Sequence, residues 1–238
     1  MKAINLKLTG FAVIGALVLT ACNQSKPDDK SSEPSKTAAA TVPAAAKSEN
    51  TYKYTLTDGP AACLNAYKEK IGQDFKVLDF STYYVLPETI DAKGIVNYKG
   101  AKGGEMKTCD LKIQDPANDK KAVGYRMDMK TGKIEGPIPV EISVSGDAES
   151  FKLSDVVYPV SGIDYAAIQK NIDTLKPKMD EKYSVYQVSG IRMDGNLSTG
   201  KPQILVHIDG KLKANDVSKN VLLTLSPDGK KILGNSLK

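Results

Sequence analysis

The 238 residues contain no tryptophan, a single histidine, two arginines and three cysteines. One histidine cannot supply the His clusters that catalytic zinc prefers, and three scattered cysteines cannot build a tetrathiolate cage. The arginines, Arg126 and Arg192, stand far apart. The body from residue 51 onward carries 27 basic against 24 acidic residues, spread along the chain. Phosphate-led affinity needs a concentrated basic stripe, so nucleic acid is not an expected partner. The longest largely apolar stretch, Leu8–Leu19, has 12 residues and is broken by Thr9, Gly10 and Gly15. A membrane-spanning helix needs roughly 20.

Lys2 and Lys7 ahead of that stretch complete the pattern of a cleavable export signal over residues 1–21. It ends in Leu19-Thr20-Ala21-Cys22, which resembles the lipobox of bacterial lipoproteins. The resemblance implies cleavage after Ala21, a diacylglyceryl group on the Cys22 thiol and a fatty acyl chain, commonly palmitate, on the new amino group. Each buried methylene contributes about 0.8 kcal/mol and one chain binds only marginally, so two or three chains make a stable anchor. Residue 23 is Asn rather than Asp. In lipoproteins this implies passage to the outer membrane of a two-membrane host, facing the periplasm or the cell surface. The alternative is an ordinary signal with a chance cysteine, which would leave a free thiol in an oxidising compartment.

Residues 23–50, rich in Ser, Ala, Lys and Pro, contain hardly a large apolar side chain. Such a segment cannot bury enough surface to offset its chain entropy, so residues 22–50 read as a lipidated cysteine and flexible linker. As a random coil it would average on the order of 30 Å end to end. With Cys22 lipidated, Cys63 and Cys109 form an even pair in a disulfide-permissive compartment and are expected to be bonded.

The body reads as α+β, in two tandem modules of a helix plus antiparallel sheet, residues 51–145 and 146–238. In the first, Asp58 or Gly59 can cap a helix with Pro60 in its first turn, Leu64, Tyr67 and Ile71 along one side, and Gly72 at its end. In the second, Asp164 can cap a helix carrying Ile168, Ile172 and Leu175, with Pro177 discouraging continuation. Strands are expected at Phe75–Leu86, Gly94–Tyr98, Met106–Gln114 and Ala122–Met129, then at Tyr183–Arg192, Gln203–Asp209 and Asn220–Ser226. Cys109, Leu111 and Ile113 alternate with Asp110 and Lys112, as in a strand with one wet face. Gly136–Pro139 reads as the start of the connection between modules, and Val140–Val144 as a possible extra strand. Turn sequences such as MDMKTGKIEG and LSPDGKKILG close each half. This order resembles cystatin-like or PepSY-type modules, and its duplication resembles beta-lactamase inhibitory proteins. The resemblance is architectural and carries no functional residue.

Catalytic candidates are few. His207 sits in Ile204–Asp209 on the face opposite Ile204, Val206 and Ile208, and Asp209 could make half of a dyad with it. No nucleophile motif accompanies it, so a strand histidine beside a carboxylate is the plainer reading. Asp115–Asp119 lacks the spacing and terminal Glu of an EF-hand and reads as a turn. Lys99–Gly104 lacks the ending of a phosphate loop and reads as a hairpin tip. Tyr52, Tyr54, Tyr83, Tyr84 and Tyr98 could form a contact surface, or could simply favour strands. No metal or cofactor is expected and no catalytic residue is identified. The expected function is a lipid-anchored, non-enzymatic binding or accessory protein of the bacterial envelope. Its partner would be another envelope protein or a glycan. A small-ligand or glycan binder is the alternative, and an envelope hydrolase a third reading.

Overall fold

The structure is a computed structural model and describes residues 52–72, 74–91, 102–144, 148–195 and 201–237. The expected export signal, Cys22, the expected linker and the expected strand Gly94–Tyr98 lie outside the described residues.

Helix α1 spans Gly59–Ile71, with Pro60 in its first turn, where no backbone N–H is needed. Asp58 does not cap it. Its Oδ2 accepts instead from the Thr55 N–H (2.7 Å) and the Thr55 hydroxyl (2.9 Å), one turn back. Gly59 enters the helix at φ 67°, a left-handed conformation that glycine takes without strain. Helix α2 (Tyr165–Asp173) is capped as expected, Asp164 Oδ1 accepting from the Ala167 N–H at 3.0 Å. Pro177 does not stop helical structure. It lies in the first turn of a further short helix, α3 (Lys176–Lys182), because a missing N–H is harmless there. Leu64, Tyr67, Ile168, Ile172 and Leu175 are all buried, so both predicted stripes face the core.

The strands are β1 (Lys76–Tyr84), β2 (Met106–Asp115), β3 (Asn118–Met127), β4 (Ile134–Val140), β5 (Tyr158–Pro159), β6 (Tyr183–Gly195), β7 (Pro202–Leu212), β8 (Ser218–Leu225) and β9 (Ile232–Asn235). They form one antiparallel sheet in the order β4-β3-β2-β1-β6-β7-β8-β9, with β5 pairing the start of β1. Each half of the chain therefore fans outward from the centre, and the halves join where β1 pairs with β6. Gly136–Pro139 is not a connection but part of β4, at the sheet edge. Proline is tolerated there because an edge strand leaves half its backbone groups unpaired. The two prolines also blunt that edge against further pairing. Of Val140–Val144 only Val140 is in a strand, the last residue of β4.

The helices cover one face of the sheet. Against them lie Val77, Phe80, Cys109, Leu111, Ile113, Ile191, Met193, Ile204, Val206, Ile208, Val221, Leu223 and Leu225, in one core cluster that runs through both halves. Cys63 on α1 is disulfide-bonded to Cys109 on β2, and both are fully buried. The neighbouring Tyr67 hydroxyl donates to the Cys109 carbonyl at 2.7 Å, and its ring meets Tyr125 edge-on. Burial pushes this phenol well above its ordinary pKa, so it remains a neutral donor.

Candidate functional site

Strand alternation sends every second side chain to the face that α1, α2 and α3 leave open. There the register builds a polar grid. Arg126 on β3 pairs with Asp110 on β2, Asp110 with Ser81 on β1, and Ser81 with Arg192 on β6. In the adjacent row Ile138 on β4 pairs with Gly124 on β3, Gly124 with Lys112 on β2, and Lys112 with Asp79 on β1. Both arginines of the chain thus stand in one row, separated by a carboxylate and a hydroxyl.

Two ion pairs cross this grid. Arg126 Nε lies 3.1 Å from Asp110 Oδ1, and Lys112 Nζ lies 3.0 Å from Asp79 Oδ2. Their side chains are part-exposed, Arg126 most of all at 75 %, so each contributes little to stability. A groove of about 360 Å³ lies over the grid, lined by Asp79, Ser81, Asp110, Lys112, Gly124, Arg126, Ile138 and Val140 among others. Val140, opposite the buried Ala122 across β3 and β4, marks its apolar end. Leu153, Val157 and Phe151 from the connection between the halves pack around Ala122 and Val140 there.

Across the seam, Arg192 and Asp194 form a close ion pair along β6. Burial raises the Asp194 carboxyl above the usual carboxylate range, against the pull of Arg192 and with a further push from Asp79. Its Oδ1 is buried with no hydrogen-bond partner among the described residues. In the third row, Tyr83 pairs with Gly190 and Gly190 with His207. The Tyr83 ring lies over Gly190, where a Cβ would come within 2.7 Å of its Cδ1.

His207 takes the face expected of it, with Ile204, Val206 and Ile208 buried on the other side. It makes no dyad with Asp209, whose Oδ1 accepts from Asn220 Nδ2 at 3.2 Å. Its own Nε2 is buried without a partner. Burial, and then the nearby Arg192 cation, hold its pKa below 6.5. Asp115–Asp119 is the turn between β2 and β3, where Asp115 and Asn118 bond the Ala117 and Lys120 N–H groups. Lys102–Gly104 forms a turn leading into β2, the rest of that glycine-lysine stretch lying outside the described residues. The tyrosines are not gathered on one surface. Tyr84 is fully buried, Tyr52 and Tyr54 pack on the main core, Tyr83 is on the open face, and Tyr98 is outside the described residues.

The seam between the halves on the helical side is filled near Leu64, Phe80, Ile168 and Met193, leaving about 10 Å³. Farther along it opens into a cleft of about 480 Å³ beside Leu56, Ile172, Leu175, Met179, Val188 and Ile208. Among the described residues lining it the one cation, Lys176, is paired with Asp173 at 2.8 Å. The charged groove is the chemically richer surface. Sequence reasoning passed over most of it, although a signal existed. Arg-Met-Asp occurs at 126–128 and 192–194, each time with a buried methionine between outward polar residues.

No protein-family model matches the chain, and no curated protein matches it. Among solved structures, the fold is similar to that of a protein from Clostridium difficile 630 described as a "putative lipoprotein". The TM-score is 0.41 at 13% identity, over 80% of this chain and 97% of that one.

Proposed function

We propose that the chain is a lipid-anchored protein of the bacterial envelope that binds a partner and catalyses no reaction. The observation that carries this reading is Leu19-Thr20-Ala21-Cys22 at the end of a short apolar export signal. Cys22 is the acylated residue. Anchoring is at the outer membrane if the host has two membranes, facing the periplasm or the cell surface. The open face of the sheet, with Asp79, Asp110, Lys112, Arg126 and Arg192, is the contact surface for another envelope protein.

The body is read as two modules, 51–145 and 146–238. Each half supplies helix ahead of four consecutive antiparallel strands, which supports that division.

Metabolic labelling with a fatty acid tests the anchor. Wild-type chain should incorporate label and partition with membranes, and Cys22→Ala should do neither. Equal labelling of the variant would refute the assignment. In-cell crosslinking through a residue on the open face, such as Ser81, should trap one specific protein. Recovery of none from that face, with efficient crosslinking elsewhere on the body, would overturn the accessory role.

A further inference from the structure

The point where the chain enters the body lies at the same end of the sheet as the β7–β8 turn. Arg126, Asp110, Ser81, Arg192 and Leu205 form one row across β3, β2, β1, β6 and β7. All these neighbours are antiparallel, so β3 and β7 leave the row in the same direction. Beyond it β3 turns back through residues 128–133, where the Met129 carbonyl accepts from the Lys53 N–H at 2.7 Å. The described body begins one residue earlier, at Tyr52. β7 runs farther, to Leu212, and turns back through residues 213–217. The Asp216 N–H donates to the Leu212 carbonyl at 2.9 Å and the Leu212 N–H to the Val217 carbonyl at 3.0 Å. The surface of this turn is basic around one apolar residue. Val217 is 52% exposed, with the exposed Lys213 and Lys219 on either side. Lys182, at the end of α3, joins them, its carbonyl accepting from the Lys213 N–H at 2.9 Å. The acid of the turn, Asp216, is held by Lys211 at 3.3 Å, and Asp180 accepts from the Tyr186 hydroxyl at 2.6 Å. That leaves Glu181 against three cations. At the entry point Lys53, Lys130 and Lys133 are exposed, while Asp128 turns its Oδ1 onto the Lys130 and Thr131 N–H groups.

We infer that the β7–β8 turn is the footing on which the body stands on an anionic lipid surface, Val217 entering the surface and Lys182, Lys213 and Lys219 lying on its headgroups. Long lysine stems lie along apolar material while their ammonium groups stay among the phosphates, and each lysine near such a surface adds to the attraction. Lys53, Lys130 and Lys133 give a second contact, about 19 Å away across the four strand spacings from β7 to β3. The inference rests on the reading of Cys22 as the acylated residue, which keeps a lipid surface within reach of this end. It sets the strands on end and leaves the open face of the sheet to the side, free for a protein partner.

The chain has no tryptophan, so a single introduced one reports its own surroundings. Acylated full chain carrying either Val217→Trp or Ala117→Trp, the latter in the exposed β2–β3 turn at the opposite end, is anchored in vesicles of brominated lipid with about 30% phosphatidylglycerol. Fluorescence from position 217 should be blue-shifted and quenched, and that from position 117 should not. Lys213→Gln and Lys219→Gln should each weaken the docked state about five-fold. Salt at about 1 M, where the Debye length is about 3 Å, should release it, and vesicles of phosphatidylcholine alone should leave both positions unquenched. Equal quenching at the two positions, or quenching at 217 that ignores both lysine variants and salt, overturns the footing. If the chain proves to carry no acyl group and leaves the vesicles, the anchor reading fails and the footing with it. If it is acylated and vesicle-bound yet unquenched at 217, the footing alone falls.

Discussion

Reducing the Cys63–Cys109 disulfide should cost this protein a large share of its stability. The bond ties the middle of α1 to the centre of β2 across 46 residues. On the chain-entropy model, closing such a loop restricts the unfolded chain by about 4 kcal/mol, an upper figure because crosslinks often deliver less. Both sulfurs are fully buried, and Tyr67 holds the Cys109 carbonyl beside them, so the folded state need not rearrange when the bond opens. The effect should therefore fall mainly on the unfolded state. Urea unfolding of oxidised and reduced chain should differ by about 2–4 kcal/mol. For a body of this size the melting temperature should drop by about 8–16 °C at the upper figure. Cys63→Ala/Cys109→Ala should lose at least as much, since it also empties buried volume. A difference below about 1 kcal/mol would show that the bond does not restrict the unfolded chain in this way.

His207, as the only histidine, gives a single imidazole titration curve, and its midpoint should lie below 6.5 because burial and Arg192 disfavour the cation. The unfolded chain then binds the proton more readily than the folded one, so stability contributed at this site is present above 6.5 and is lost as pH falls from there through the lower folded midpoint. His207→Asn should flatten that slope, and a midpoint at or above 6.5 would refute the burial argument. Gly190→Ala should destabilise by roughly 1–3 kcal/mol, because the new Cβ meets the Tyr83 ring. Adding Tyr83→Ala should remove most of the Gly190→Ala cost, leaving the Thr82 carbonyl 3.3 Å from the new Cβ, and a double-mutant cycle without coupling would remove the ring contact as the cause.

The legible parts were those encoded within a few residues. Glycine and proline positions, the cap at Asp164 and the 3.6-residue stripes placed α1 and α2, because a helix closes its hydrogen bonds locally. Alternation exposed β2 and β7, including which face His207 would take. Cysteine parity paired Cys63 with Cys109. Local rules failed where a residue type had two uses. Pro177 has the sequence context of a terminator yet lies in the first turn of α3, whereas Pro137 and Pro139 have that of a linker yet occupy an edge strand. Asp58 looked like a cap and bonds backward to Thr55.

From sequence alone came the lipobox expectation, the α+β class, the core-facing residues and the pairing of the cysteines, since each depends on composition or short-range spacing. Tertiary structure decided that the two halves share one sheet, because β1 meets β6 through pairs more than 100 residues apart, such as Ser81 with Arg192. It also decided that Arg126, Asp110, Ser81 and Arg192 stand in one row. A shift of one residue in any of these registers would turn its side chains to the opposite face, and no local pattern in a single strand specifies which partner it will align with.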